Sequence, residues 1–221
     1  MDYYANILRY SFLCMNMKTN FFWFLILISF VLMNEPVIAQ PWQFVKEEPG
    51  IKIYTRKESG RSIKSYKGEA TIKAPAAKVV AMLEDIHHTD WWDKNVRMVK
   101  VISYEKNRSA KYYIEYDLPW PVIDRDLAVE VRVEHDVQNG TTKIIAGPLN
   151  GVVPVNPDKV RIKAYSQSWT VKEAGPGTCH VVLEGYADPA GSVPDWLINS
   201  IIVDSPLKLI RQVRSRMELK Q

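Results

Sequence analysis

Cysteine is nearly missing from this sequence: Cys14 and Cys179 are its two cysteines in 221 residues. An apolar run, Phe21–Met33, stands between them, so no disulfide framework can be drawn and the chain must rely on its core. Patterns that hold metals or activate nucleophiles are lacking as well. His87 and His88 are adjacent, and neighbouring side chains point apart in a regular element, so they do not make an HExxH-type pair. Cys179 precedes His180, which falls on the opposite side of a strand and cannot serve it as a base. There is no G-x-S-x-G elbow and no glycine-rich phosphate loop. Charge of one sign is also scarce. The 29 basic and 25 acidic residues leave a net +4, spread along the chain, which argues against nucleic acid. These absences predict no metal, no cofactor and no catalytic centre.

The longest apolar run is too short for a membrane span, which needs ~20 residues. Phe21–Met33 followed by Val37-Ile38-Ala39 instead has the form of a signal-peptide core ending at a small residue. Met17-Lys18 gives the better start for such a leader. The expectation is a leader over 1–39 and a folded domain over 40–221, exported to the periplasm or the exterior and monomeric. An uncleaved N-terminal anchor is the alternative.

The remainder alternates between short strands and turns. Strands are predicted at Ile51–Arg56, Lys64–Lys73, Val96–Tyr104 and Lys111–Leu118, with a helix opened by Pro75. Asp126–Asp136 carries the clearest pattern. Leu127, Val129, Val131 and Val133 alternate with Ala128, Glu130, Arg132 and Glu134, which puts the apolar set on one face. Tyr112, Ile114 and Tyr116 form the matching row on the strand before. Asn139-Gly140 makes a hairpin into Thr141–Ala146, and Gly147–Pro157 reads as a loop. Long strands follow at Lys159–Lys172 and Thr178–Asp188. Ser192 to Asp195 has capping-box spacing ahead of an apolar stripe that includes Trp196, Leu197, Ile201 and Ile210. Pro206 should kink this last helix. Consecutive strands with short turns imply an antiparallel sheet, and the fold class is α+β.

Four segments together resemble the START family of lipid-transfer domains. They are Trp42 with Gly50–Arg56, Trp91-Trp92-Asp93, Trp120–Asp126, and Asp188–Asn199. The resemblance spans nearly all of 42–219. It implies a helix-grip fold, a curved antiparallel sheet wrapped around a long C-terminal helix with an internal hydrophobic tunnel. The partner it implies is one lipid or other hydrophobic small molecule, held for transfer or sensing, with a transient membrane surface as the donor or acceptor. The tunnel is expected to be lined by Tyr112, Ile114, Tyr116, Leu127, Val129, Val131, Trp169, Leu197 and Ile201. The 147–157 loop, with apolar Leu149, Val152, Val153 and Val155, is the expected gate. Arg125 and Asp126 are read as a structural salt bridge, because guanidinium forks match carboxylates. Where relatives carry a second glycine this chain has Ala190, so its turn is expected to avoid positive φ. The rival reading is a cyclase- or hydrolase-like enzyme of the same fold acting in the same cavity.

Overall fold

The computed structural model describes residues 40–218, apart from the side chains of Ser200 and Ile201. The leader expected over 1–39 and the Ile201 side chain therefore lie outside the described residues. The strands are β1 (Gln43–Glu48), β2 (Ile51–Arg56), β3 (Ser65–Ile72), β4 (Val96–Glu105), β5 (Ser109–Tyr116), β6 (Arg125–Asp136), β7 (Thr141–Pro148), β8 (Val160–Arg161), β9 (Ala164–Gly175) and β10 (Thr178–Asp188). The helices are α1 (Ala76–Glu84), α2 (Asp195–Ile201) and α3 (Asp204–Glu218). One sheet runs in the order β1-β2-β3-β10-β9-β7-β6-β5-β4, with β8 beside β6. Its neighbours are antiparallel except β8, which runs parallel to the start of β6.

Burial explains why the helices lie where they do. On α1, Val79, Val80 and Leu83 are buried, and on α3, Leu207, Ile210 and Val213 are buried at helical spacing. Both helices join one core with Ile53, Ile72, Val171, Val181 and Leu183. The closest crossing is at Gly68 on β3. A Cβ there would stand 2.6 Å from Ile210 Cδ1, 3.2 Å from Pro206 Cβ and 3.3 Å from Ile53 Cδ1. The missing side chain lets α3 settle on the sheet. Gly68→Ala is therefore expected to destabilise the protein by about 1–3 kcal/mol through overpacking. Urea unfolding measures this, and a midpoint equal to the parent's would show that α3 can shift without loss.

Four local readings need correction. β1 was not anticipated, because Gln43–Glu48 lacks apolar alternation; it forms by pairing with β2. The kinked last helix is two helices. Ile202 ends the first by bonding back to Ile198, and Pro206 sits in the first turn of α3, where its missing N–H costs least. Ser192 does not cap α2; Pro194 holds the N-cap position with no side-chain cap. Ala190 does adopt positive φ, at 55°. It is held there by its N–H donating to Asp188 Oδ1 at 2.8 Å and by Arg125 Nη2 donating to its carbonyl at 3.2 Å.

Candidate functional site

Strand register sets out the inner face in rows. One row runs Gly68, Leu183, Trp169, Ile144, Val133 across β3, β10, β9, β7 and β6. The next runs Tyr66, Gly185, Gln167, Ala146, Val131, Ala110 and reaches β5. The row beyond contains Val129 and Tyr112 as partners. The middle row is built from small residues at Gly185, Ala146 and Ala110, flanked by Trp169 and Ile144 on one side and Tyr112 on the other. Side chains stand nearly perpendicular to a sheet, so this difference in size makes a trough. Gly185 has a second role. A Cβ on it would lie 2.3 Å from the Tyr66 hydroxyl and 2.4 Å from its Cζ, so the Tyr66 ring lies over Gly185 and closes that end of the row, leaving the trough over Ala146 and Ala110.

Tyrosines converge on this face. Burial pushes the phenols of Tyr66, Tyr112, Tyr116 and Tyr165 above their ordinary range; neighbouring phenols add to the effect at Tyr66, Tyr112 and Tyr165, and Asp93 adds to it at Tyr116. All four therefore stay neutral, each able to donate one hydrogen bond and accept others. Tyr165 donates to Gln167 Oε1 at 2.7 Å. Among the described residues the hydroxyls of Tyr66, Tyr112 and Tyr116 have no hydrogen-bond partner. Trp92 packs against Tyr112 with ring centroids 5.4 Å apart and planes tilted by 48°, and it meets Trp91 edge-on at 6.3 Å. The Trp91-Trp92-Asp93 segment thus closes one side of the trough.

The expected residues divide into those on this face and those elsewhere. Tyr112, Ile114, Leu127, Val129 and Trp169 are buried, while Tyr116 and Val131 are half-buried and pack against the same cluster. Leu197 is different. It is 39% exposed beside Trp196, and Ile198 is the buried residue of that turn. The helix starts after Pro194, and that start rotates Leu197 away from the core. Tyr66, Tyr165 and Gln167 were not singled out beforehand, although alternation along β3 and β9 places them on the inner face.

The expected gate lies on the other side of the sheet. Tyr113 pairs with Ala128 and points opposite to Tyr112 and Val129. Leu149 and Val153 pack on Tyr113 and Ala128, and the Leu149 N–H donates to the Ala128 carbonyl at 2.9 Å. The loop therefore covers the outer face, leaving Val152 and Val155 exposed. The cause is a polar network unseen in the sequence. Arg161 donates to Asp126 from Nε at 2.7 Å and Nη2 at 2.9 Å, and to the carbonyls of Val153 and Pro154. Tyr113 also donates to Asp126, at 2.9 Å. Beside them Lys159 bonds Glu115 at 3.0 Å, which, with Arg97, holds the Glu115 carboxyl below its usual range.

The Arg125–Asp126 salt bridge does not form, because adjacent strand residues face opposite sides. Asp126 pairs with Arg161 on the outer face. Arg125 is buried at the end of the inner face, where it donates to the carbonyls of Ile123, Pro189 and Ala190. Two of the four recognised segments thus meet through one guanidinium. It pins the turn before β6 to the junction that launches α2.

Other candidates are accounted for. Cys179 is fully buried, and burial pushes its thiol up to about 11. The arginines of α3 are engaged: Arg211 with Glu48, Arg216 with Asp90, and Arg214 with the carbonyls of Pro49 and Gly50. Glu84 is a buried carboxyl with Oε1 lacking a partner, and its burial raises its pKa.

Comparisons with known proteins agree with this architecture. An uncharacterized protein of Pseudomonas aeruginosa is 30% identical over 182 residues, 82% of this chain and 89% of that protein. The phosphatidylcholine transfer protein of Rattus norvegicus is 28% identical, covering 76% of this chain and 79% of its own length. The crystal structure of a STAR-related lipid transfer protein from Xanthomonas axonopodis superposes with a TM-score of 0.73 at 27% identity, covering 81% of this chain and 99% of that one. The profile of the START domain matches residues 37–221, so the chain belongs to the START domain family.

Proposed function

We propose that the trough holds one lipid-like molecule, with its apolar part along Ile114, Leu127, Val129, Val131 and Trp169 and its polar end at the tyrosine hydroxyls. The observation that carries this reading is the set of neutral phenols without partners. None of the three oxygens is among the fully buried side-chain atoms that lack a partner, so each borders space that a ligand group can enter to make the hydrogen bond that water would otherwise supply. Tyr116 and Tyr165 also keep accessible surface although burial dominates their phenols, a combination expected of groups that border internal space. The names of the relatives, a phosphatidylcholine transfer protein and a STAR-related lipid transfer protein, point the same way.

Energetics favour carriage over trapping. Burying roughly 500 Å² of lipid surface is worth about 12 kcal/mol relative to water. Leaving a bilayer costs the lipid a similar amount, so exchange between membrane and protein runs near balance. Such a protein transfers or senses lipid, and the sealed Cys179 offers no nucleophile for a reaction. The test is native mass spectrometry of protein purified from its own host, followed by extraction. One lipid per chain is expected, reduced when Tyr112 and Tyr116 are both changed to Phe. Recovery of no lipid, together with failure to bind a fluorescent lipid analogue, sinks the reading.

A further inference from the structure

The segment that leaves α1 roofs the trough. Ile86 is buried in one cluster with Ala110, Tyr112, Val129 and Ala146, and Trp92 packs against Tyr112. From 85 to 93 the chain makes turns, without helix or strand. Few polar ties hold it. Arg216 on α3 donates to Asp90 at 2.6 Å, and His87 meets Tyr104 of β4 edge-on with ring centroids 5.7 Å apart. His88 pairs with Asp85 at 2.7 Å, a contact inside the segment itself. Turns with so few fastenings open at lower cost than the strands of a sheet. α3 is the costlier door, because its Leu207, Ile210 and Val213 are buried in the main core.

Glu84, the last residue of α1, stands at the root of this roof. It is 7% exposed, and its Oε1 has no hydrogen-bond partner. A carboxylate is poorly placed there on two counts. It opposes the negative end of the helix dipole, and it lies out of water without a full set of donors. The groups that face it are few. The N–H of Asn107, a residue of the β4–β5 turn with φ of 61°, favours the ionised form, as do His135 on β6 and Lys106 in the same turn. His135 is itself bonded to Thr142 of β7 at 3.1 Å. Tyr104 on β4 feels the charges of both Glu84 and Asp85. Other charges near α1 are spoken for: Glu173 of β9, strand neighbour of Cys179 on β10, accepts from the Ala76 N–H at the opposite end of the helix, and Arg216 of α3 is taken by Asp90. Burial outweighs the favourable groups and raises the Glu84 pKa.

We propose that Glu84 is a proton-operated latch on the roof of the trough: protonated, it keeps 85–93 seated over Tyr112, and ionised, it loosens that segment so that lipid passes. The latch rests on the carrier reading above and says what governs loading and release. Its direction follows from linkage. Opening carries Glu84 into water, where its pKa returns to the ordinary glutamate range. The closed form therefore holds its proton more tightly. It is most stable where the carboxyl is protonated, and it loses stability as pH rises from that range through the raised value. Lipid is kept on the acid side of this window and exchanged on the other.

The experiment measures amide hydrogen exchange of the full chain, stripped of lipid, from about pH 4.5 to about pH 8, with the intrinsic exchange rate divided out. Protection of peptides covering 85–93 is expected to fall about fivefold across this range in the parent, while peptides of β9 and β10 hold theirs. Glu84→Gln and Glu84→Met carry no charge at any pH, so their protection should stay at the parent's acid-side level throughout. A pH response that survives in both variants belongs to His87, His88 or His135 and overturns the proposal, as does a parent whose protection does not change. The parent also gives a reading without substitution: a Glu84 carboxyl carbon that titrates, by NMR, at or below an ordinary glutamate's pKa overturns it as well. A fluorescent lipid analogue then separates the two readings. Its release from the parent should quicken over the same range and stay flat in both variants. Constant release from a roof that loosens overturns the latch. An analogue that never binds, beside a pH-dependent roof, sinks the carrier reading alone, and a bound analogue beside a pH-independent roof sinks the latch alone.

Discussion

Asp126→Ala is expected to remove about 3–5 kcal/mol of stability, the cost of leaving a buried partner charge uncompensated. Asp126 is wholly buried and accepts from Arg161 Nε, Arg161 Nη2 and the Tyr113 hydroxyl. Without it, the Arg161 guanidinium keeps the Val153 and Pro154 carbonyls but has no counter-charge. The loop over the outer face should loosen with it. Urea unfolding should show a lower midpoint, and limited proteolysis should cut first near Gly151. The paired change Asp126→Leu with Arg161→Met should recover much of the loss, since apolar replacements of a buried ion pair are often neutral or stabilising. A single Asp126→Ala variant within about 1 kcal/mol of the parent would show that the carboxylate is not what holds Arg161.

The sequence reveals much of this fold because one face of most strands is buried. Leu127, Val129 and Val131 alternate with polar residues, and that alternation gave the inner row of β6 directly. The same rule could have separated Arg125 from Asp126, which are neighbours on one strand and so face opposite sides. Guanidinium–carboxylate chemistry was a weaker guide than strand geometry. The pairing Asp126–Arg161 was out of reach, because it depends on β8, a two-residue strand with no pattern of its own. For that reason the apolar residues of the 147–157 loop suggested a gate, while the structure lays Leu149 and Val153 on the outer face. Leu197 illustrates a related limit. The apolar stripe of the closing segment is visible, but its phase depends on where the helix starts, and Ser192 gives a false cap. The trough was hidden for another reason. Gly185, Ala146 and Ala110 lie far apart in sequence, and only register across β10, β9, β7, β6 and β5 brings them into one row.

That row supplies the second large effect. Ala146→Phe should abolish lipid binding while leaving the protein folded. Ala146 stands between Val131 and Gln167 in the trough, and its side chain is nearly out of contact with water. A phenyl ring placed there projects from the sheet into the space assigned to the ligand, and it brings no charge that must be paired. If it displaces about four methylene groups of lipid, the lost burial is roughly 3 kcal/mol, or more than a hundredfold in affinity. Stability without ligand should hold or rise, because a ring that fills internal space gains contacts. Ala128→Phe is the matched control on the opposite face. It should disturb Leu149 and the loop packed there, lowering stability while leaving lipid occupancy intact. Native mass spectrometry of both variants, set beside their urea midpoints, decides the matter. Lipid occupancy in Ala146→Phe equal to the parent's places the ligand elsewhere. A variant that loses lipid and stability together shows that Ala146 faces packed core, leaving no trough at this row.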